Sequence, residues 1–249
     1  MVSIKNEEQI KYMKTSGKVV YEVLELLKKT LKEGMTTLEL NNIAHEYIIN
    51  NNCEPSFLNY DGYPKSICVS INDEVVHGIP GKRKIKKGDV VSIDVGASYN
   101  GYHADAARTY IVGETSKENR DLVEYTKQAF YEGLSVIKEG IKLNDVSKNI
   151  EKIAKKHGYG VIKELTGHGI GEELHEDPYI YNYENSDSEL ILKSGMTLAI
   201  EPMFSLKSPK IWILEDGWTI TTQDHSIASH YENTILVTED GYEILTGEW

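Results

Sequence analysis

Apolar residues recur at helical spacing from Gln9 to about Lys32, and this periodicity predicts a long amphipathic helix. Its buried face would consist of Val19, Val20, Val23, Leu24, Leu27 and Leu31. We expect Gly34 to end the helix, because glycine readily adopts the left-handed conformation found just after helix C-termini. Thr36 and Glu39 have the spacing of a capping box, which predicts the start of a second helix. The inner face of that helix would consist of Leu40, Ile43, Ala44 and Tyr47.

The same pattern occurs a second time along the chain. The segment KEGMTTLELNNIAHEYI, which begins at Lys32, resembles KEGIKLNDVSKNIEKIA, which begins at Lys138. Further on, KIKKGDVVSID ends at Asp94 and LILKSGMTLAIE ends at Glu201, and each pairs a Lys-x-Gly turn with an apolar strand and a carboxylate. These echoes indicate an internal duplication.

The duplication predicts an α+β fold built from two halves of about residues 1–115 and 116–249. Each half would contain two helices followed by strands, and an approximate twofold axis would relate the two. The chain has no linker rich in proline, glycine and serine between them. We therefore expect a single catalytic domain with a shared central antiparallel sheet and helices on one face.

The stretch VVSIDVGASYNGYHADAARTYIV reads as two strands joined at Asn100-Gly101, a strong signal for a two-residue hairpin turn. With that turn, Gly96 lies opposite Asp105. Asp94 is two residues from Gly96 and shares its face, since side chains alternate along a strand. Asp94 and Asp105 should therefore project side by side from neighbouring strands. The alternative is a solvent-facing pair on a half-exposed sheet.

The second half repeats this arrangement. Glu201 ends the apolar run in MTLAIEPMF, and Glu232 precedes another in SHYENTILVT. If the duplication holds, these four carboxylates meet at the centre of one sheet, where their negative charge needs a positive counterpart. Two divalent cations about 3.5–4 Å apart would neutralise it, as in hydrolytic dinuclear sites.

His168 is the candidate fifth ligand, because glycines on both sides in TGHGIGEELHEDP let its backbone come close. The HE pair at His175 is not the helical zinc motif HExxH, since no histidine follows at the required spacing and Pro178 argues against a helix. One imidazole among four carboxylates makes an oxygen-rich set. Such a set suits Mn, Fe(II) or Co better than structural zinc.

Composition narrows the class of protein. With 27 basic and 39 acidic residues the net charge is −12, which argues against a nucleic-acid-binding surface such as DNA binders present. The two cysteines, Cys53 and Cys68, form no CxxC pair, so a reducing compartment fits better than a disulfide scaffold. Without a signal peptide or an apolar run of membrane-spanning length, the sequence predicts a cytoplasmic protein with no membrane contact.

Taken in order, Asp94, Asp105, His168, Glu201 and Glu232 resemble the five metal ligands of the type I methionine aminopeptidases, which have the pita-bread fold. The flanking strings agree with that family from near Ile4 to the C-terminal EILTGEW. The agreement rests on NYDGYPKSICVSIN, VVHGIP, SIDVG, YHADAART, TGHGIG, LHEDP, AIEPMF, DGWT and YENTILVT.

This resemblance implies an enzyme that removes the initiator methionine from nascent proteins and peptides, favouring a small second residue. Asp94 would bind one of two divalent ions (Co, Mn, Fe(II), Zn or Ni) in bidentate fashion, and Asp105 and Glu232 would bridge the pair. His168 and Glu201 would complete the other coordination sphere. Glu201 would also take the proton of the attacking water.

The resemblance also implies substrate contacts. His175 would stabilise the oxyanion, and His77 would contact the peptide beyond the scissile bond. The methionine slot would be lined by Tyr60, Tyr63, Cys68, Leu174 and Trp218. Leu174 stands where the family often has phenylalanine, and Glu172 replaces a usual basic residue, so the shape of the slot is left open.

Two other functions remain as alternatives: an Xaa-Pro peptidase on the same fold, and a non-enzymatic pita-bread module that binds a protein or RNA. The first usually carries a large extra N-terminal domain, and the second would be expected to have lost metal ligands. The basic run GKRKIKKGD is interpreted as a solvated turn, with transient ribosome contact as the alternative. By the family's habit we expect a monomer.

Overall fold

The computed structural model describes residues 2–185 and 189–247, so the last two residues of the EILTGEW string lie outside the described part. Within it the chain forms four α-helices in two pairs and one short 3₁₀ helix, Tyr60–Gly62. The α-helices are α1 Glu7–Thr30, α2 Thr37–Asn50, α3 Lys117–Leu134 and α4 Leu143–His157. None of them is long and apolar enough to cross a membrane.

The N-terminus of α1 lies two residues before the predicted start at Gln9. Asn6 caps it: its side chain accepts a hydrogen bond from the Gln9 N–H at 3.0 Å, and the Gln9 side chain accepts one from the Asn6 N–H at 2.9 Å. The predicted C-terminus was wrong, because α1 ends at Thr30 and Gly34 lies in the following turn with φ of +88°. The capping box of α2 is confirmed, since Thr36 and Glu39 exchange the two expected hydrogen bonds.

All the strand pairings in the described residues are antiparallel and form four sheets, with orders β1-β4-β2 (with β5 on β4), β15-β14-β9-β7-β8, β13-β10-β6 and β11-β12-β3. The strands are β1 Glu54–Pro55, β2 Ile67–Ile71, β3 Glu74–Val76, β4 Val90–Tyr99, β5 Tyr102–Ile111, β6 Gly160–Val161, β7 Gly167–Gly169, β8 Glu176–Ile180, β9 Thr197–Ile200, β10 Met203–Ser205, β11 Ile211–Ile213, β12 Ile220–Thr222, β13 Ala228–His230, β14 Asn233–Val237 and β15 Tyr242–Ile244.

The hairpin of β4 and β5 has the predicted turn and register. Asn100 and Gly101 both have positive φ, 51° and 78°, as a two-residue hairpin turn of this type requires. Gly96 pairs with Asp105. A side chain at position 96 would meet the ring of Phe57 at 2.6 Å, so only glycine fits there.

Each helix pair covers its own strands. One core cluster joins α1 and α2 to β2, β4 and β5, and a second joins α3 and α4 to β9 and β14. The helix–helix–strand order thus occurs twice. Where β5 meets β14, the Glu232 N–H donates to the Ala107 carbonyl at 3.0 Å, and the Asp105 N–H donates to Thr234 Oγ1 at 3.0 Å. This contact brings Asp94 and Asp105 of the hairpin next to Glu201 and Glu232 of the second half.

Two smaller expectations concern the surface and the cysteines. Cys53 and Cys68 are both free and buried. The basic run lies in a loop and turn before β4, and its lysines and arginine are exposed. Within it, Arg83 forms an ion pair with Glu74 at 2.5 Å. This placement agrees with a solvated turn.

Candidate metal centre

The five predicted ligands come from separate elements and reach one pocket. Asp94 lies in the middle of β4, Asp105 in β5 and His168 in β7, while Glu201 follows β9 directly and Glu232 immediately precedes β14. All five line a cavity of about 100 Å³. His168, Asp105 and Glu232 are buried, and Asp94 and Glu201 are half-buried.

His168 is oriented by its own backbone environment. Its Nδ1 lies 2.8 Å from the carbonyl oxygen of Gly169, and a carbonyl can only accept, so Nδ1 carries the hydrogen. The lone pair of Nε2 therefore faces Asp105 Oδ2 at 3.6 Å and Glu201 Oε1 at 3.5 Å. A neutral imidazole whose other nitrogen donates to a carbonyl is the usual form of a metal-binding histidine.

Removal from water makes the cluster of carboxylates electrostatically unfavourable in isolation. Burial, with the neighbouring carboxylates adding to it, raises the pKa of Asp94, Glu201 and Glu232 well above the usual range. Burial also raises the pKa of Asp105 to about 6, against the lowering effect of His175 and of a hydrogen bond from Thr234. Four adjacent negative charges need cations close by if all are to be ionised.

A sixth side chain, His230, belongs to this cluster and was missed from the sequence. Its Nε2 lies 3.6 Å from Glu201 Oε2 and 3.6 Å from Glu232 Oε2. The signal was present, because His230 stands two residues before Glu232 in SHYEN and an extended chain projects such residues to the same face.

The ligand atoms form two overlapping groups. Atoms of Asp94, His230 and Glu232 lie within 4.8 Å of one another, and so do atoms of Asp105, His168 and Glu232. Two buried polar atoms, Asp94 Oδ1 and His230 Nε2, have no hydrogen-bond partner among the described residues. Unpaired buried polar atoms in a carboxylate- and imidazole-rich cluster fit divalent metal ions.

The remaining wall of the pocket is apolar and aromatic. The predicted slot residues line it together: Tyr60, Tyr63, Cys68, Leu174 and Trp218. The rings of Tyr63 and Trp218 meet edge to face with centroids 5.1 Å apart. Phe57 also lines the pocket and was missed, since nothing in its sequence context distinguishes it from a core residue. Of the two departures from the family pattern, Leu174 is buried in the wall, and Glu172 is exposed outside it.

Both auxiliary histidines lie beside the ligands. His175 Nδ1 is 2.8 Å from the Tyr60 hydroxyl, and its ring centroid is 4.4 Å from that of His168. His77 lines the same pocket with φ of +60°, an uncommon conformation for a residue with a side chain. Burial lowers the pKa of His77 to about 4, so its imidazole is neutral at pH 7. After His175 the chain enters the strand β8, which excludes the helical HExxH motif.

Comparison with known proteins decides the family. A sequence model of metallopeptidase family M24 matches residues 11–239. The chain belongs to this family. Its curated relatives include a methionine aminopeptidase from Clostridium acetobutylicum, 45% identical over 247 residues and covering 99% of each chain. Methionine aminopeptidase 1 from Bacillus subtilis is 43% identical over 246 residues, again covering 99% of both.

Solved M24 structures confirm the predicted pita-bread fold. A methionine aminopeptidase from Thermotoga maritima superimposes with a TM-score of 0.97 at 45% identity, covering 100% of both chains. A prolidase from Pyrococcus furiosus has a TM-score of 0.81 at 26% identity, with 99% of this chain matching 66% of that one. Because both activities share the M24 fold, the fold by itself does not choose the substrate.

Proposed function

We propose that this M24 metallopeptidase removes the N-terminal methionine from peptides and nascent proteins, with preference for a small second residue. The observation that carries the proposal is a single pocket in which carboxylates and imidazoles of metal-ligand type adjoin a small aromatic slot containing a thiol. An unbranched thioether side chain suits such a soft apolar surface. The names of the relatives in Clostridium acetobutylicum and Bacillus subtilis support the same assignment.

In this proposal Asp94, Asp105, His168, Glu201 and Glu232 hold two divalent ions. Asp94 would help to hold one ion, and Asp105 and Glu232 would contribute to holding both. The predominance of oxygen ligands favours Mn, Fe(II) or Co, and it also accepts Zn or Ni. When bound, the ions supply Lewis acidity and lower the pKa of water enough to provide a nucleophile at neutral pH.

Proton transfer falls to Glu201. Its carboxylate stands between the two imidazoles, with Oε1 3.5 Å from His168 Nε2 and Oε2 3.6 Å from His230 Nε2. From there Glu201 accepts the proton of the attacking water and returns it to the leaving amine. The substrate's free α-amino group sits by the ligand cluster, which accounts for an exopeptidase.

The auxiliary histidines act on the peptide. Nδ1 of His175 lies 2.8 Å from the Tyr60 hydroxyl, and with that hydroxyl as the donor the imidazole hydrogen is on Nε2, where it can be donated to the developing oxyanion. His77 contacts the peptide beyond the scissile bond. A groove of about 340 Å³ shares His77, His168, His175 and Glu201 with the ligand pocket, and it offers a path for the rest of the substrate.

One assay with three peptides tests the proposal. Purified protein with Mn, Co or Fe(II) receives Met-Ala-Ser, N-acetyl-Met-Ala-Ser and Ala-Pro. We expect methionine from the first peptide alone, because the second lacks a free α-amino group. Cleavage of Ala-Pro would instead identify an Xaa-Pro peptidase, and no turnover with any metal would favour the non-enzymatic binding module.

Three further statements complete the proposal. The residues form a single catalytic domain of two halves, about 1–115 and 116–249, which acts as a monomer in the cytoplasm. Two buried free cysteines support a reducing compartment. The basic loop at residues 82–87 is interpreted as solvated, since its lysines and arginine are exposed. The alternative is transient contact with the ribosome, and in that case replacing the lysines by neutral residues should weaken cosedimentation with ribosomes.

A further inference from the structure

His230 is a buried imidazole without a conventional partner. It is 2% exposed, and its Nε2 has no hydrogen-bond partner within the described residues. Carboxylate oxygens of Glu201 and Glu232 each lie 3.6 Å from this nitrogen, which is too long for a hydrogen bond. A structural histidine in a core normally has its ring nitrogens satisfied.

The backbone holds this side chain in place. The hydroxyl of Thr109 donates to the carbonyl oxygen of His230 at 2.8 Å and accepts from its N–H at 3.0 Å. On the other side of the chain, Tyr231 turns away from the cluster and packs its ring under the guanidinium of Arg108, 4.4 Å from the ring centroid. Because successive side chains of an extended segment point to opposite sides, His230 and Glu232 both face the cluster of predicted metal ligands.

We propose that His230 is a ligand of one of the two metal ions, in a group with Asp94 and Glu232 that corresponds to the group of Asp105, His168 and Glu232. Each group contains one imidazole, and Glu232 belongs to both, as a carboxylate between two ions would. Asp94 supplies the other buried unpaired atom of the cluster, and it lies in the same group as His230. This inference rests on the metal centre proposed above.

A second nitrogen ligand changes what the centre selects. With His168 alone the set is oxygen-rich, whereas a histidine in each group moves the preference away from Mn and toward Co, Ni or Zn. His230 would thus be a specificity-determining residue for the metal. Loss of its imidazole should weaken Co binding more than Mn binding.

Cobalt-loaded protein tests the assignment directly. In proton NMR of the Co(II) form, each coordinated histidine gives one solvent-exchangeable imidazole N–H resonance that is strongly shifted by the paramagnetic ion. We expect two such resonances from wild type, from His168 and His230, and one from His230→Gln. His157→Gln is the matched control, because the Nε2 of His157 is also buried and unpartnered within the described residues, but its ring lies at the end of α4 and stacks on Tyr125 of α3.

Chelator competition gives the second measurement. Mutation of a residue that merely hydrogen-bonds to a metal ligand lowers metal affinity by about 10–100-fold. Loss of a direct ligand in His230→Gln should therefore weaken the binding of one of the two Co(II) ions by at least about tenfold. One shifted resonance in wild type, or two resonances with unchanged affinity in His230→Gln, would overturn the assignment. Should the variant fail to fold, a single shifted resonance in wild type still overturns the assignment and two resonances support it.

The same samples separate this inference from the proposed function. Wild type that binds two ions with two shifted imidazoles, but releases no methionine from Met-Ala-Ser, would retain His230 as a ligand and refute the aminopeptidase. Wild type that cleaves the peptide but shows a single shifted imidazole resonance would retain the aminopeptidase and refute His230 as a ligand. Failure of wild type to bind any metal would overturn both.

Discussion

At the residue scale, Asp105 is a buried carboxylate that Thr234 holds through several hydrogen bonds. Its N–H donates to Thr234 Oγ1, and that hydroxyl lies 2.9 Å from the Asp105 carbonyl oxygen and 3.1 Å from Oδ1. The other oxygen, Oδ2, points to His168. Of the two carboxylate oxygens of Asp105, Oδ1 therefore helps to join β5 to β14, and Oδ2 faces the other predicted metal ligands.

Asp105→Asn should separate these two duties. The amide keeps an oxygen for Thr234 but loses the negative charge, so we expect metal affinity and turnover of Met-Ala-Ser to fall by at least about 100-fold. The fold should persist, because a buried charge is removed and no volume is lost. Metal titration, peptide hydrolysis and circular dichroism measure these effects, and normal activity would remove Asp105 from the site.

Trp218→Ala tests the methionine slot. The ring of Trp218 meets Tyr63 edge to face, and its loss opens the apolar wall without touching a proposed ligand. An aromatic contact of this kind contributes about 0.5–1.5 kcal/mol beyond burial, so its loss should lower kcat/KM for methionyl peptides by about two- to tenfold. Metal binding should be unchanged. Trp212→Ala, at a ring that is 54% exposed in β11, is the control and should leave the kinetics as in wild type.

At the scale of elements, a capping box fixes the start of α2, the second helix of the first pair. The carboxylate of Glu39 accepts hydrogen bonds from the N–H and the hydroxyl of Thr36, each at 2.7 Å, at the start of α2. The hydrogen bond from the Thr36 backbone is the main cause that lowers the pKa of Glu39 below its usual value. The ionised carboxylate is therefore favoured by the folded state.

Glu39→Gln should reveal this cap through pH. A carboxylate whose pKa is lowered on folding adds stability above its unfolded pKa of about 4.5, and that stability is lost as pH falls through the folded pKa. We expect wild type to unfold at higher urea than the variant at pH 7, with the difference vanishing toward pH 3. Glu46→Gln, on an exposed position of α2, controls for the loss of one charge. A pH-independent difference would exclude the cap as its source.

At the scale of the whole molecule, the two core clusters meet at the carboxylates. Glu232 and Thr234 on one side bond to Ala107 and Asp105 on the other, so charge repulsion in the ligand cluster acts across this contact. A cation bound there would stabilise the folded chain, since the unfolded chain does not bring these ligands together.

Metal should therefore raise the thermal stability of the protein. Binding at a free concentration 100-fold above Kd adds about 2.7 kcal/mol, which for a chain of this length is a rise on the order of 5–10 °C in Tm. Differential scanning fluorimetry of chelator-treated protein, with and without added Mn or Co, measures the shift. Asp105→Asn should show a much smaller rise, and an equal rise in both proteins would mean that the ions bind elsewhere.

Local patterns were enough to predict much of this molecule. The hairpin turn at Asn100-Gly101 fixed the pairing of Gly96 with Asp105, because a two-residue turn leaves only one register. The capping box at Thr36 was equally legible. The start of α1 was misplaced because the cap at Asn6 was not recognised, and its end because Gly34 belongs to the turn after it.

The sequence by itself determined which residue types were available, the order of helices and strands, and the family, since these follow from periodicities of 2 and 3.6 residues and from motifs. Only the tertiary structure decided how segments far apart in the chain meet. It divided the strands among four sheets, set Phe57 against Gly96, and brought His230 to within 3.6 Å of Glu201. Such contacts depend on side-chain packing between elements more than 25 residues apart, which no local period encodes.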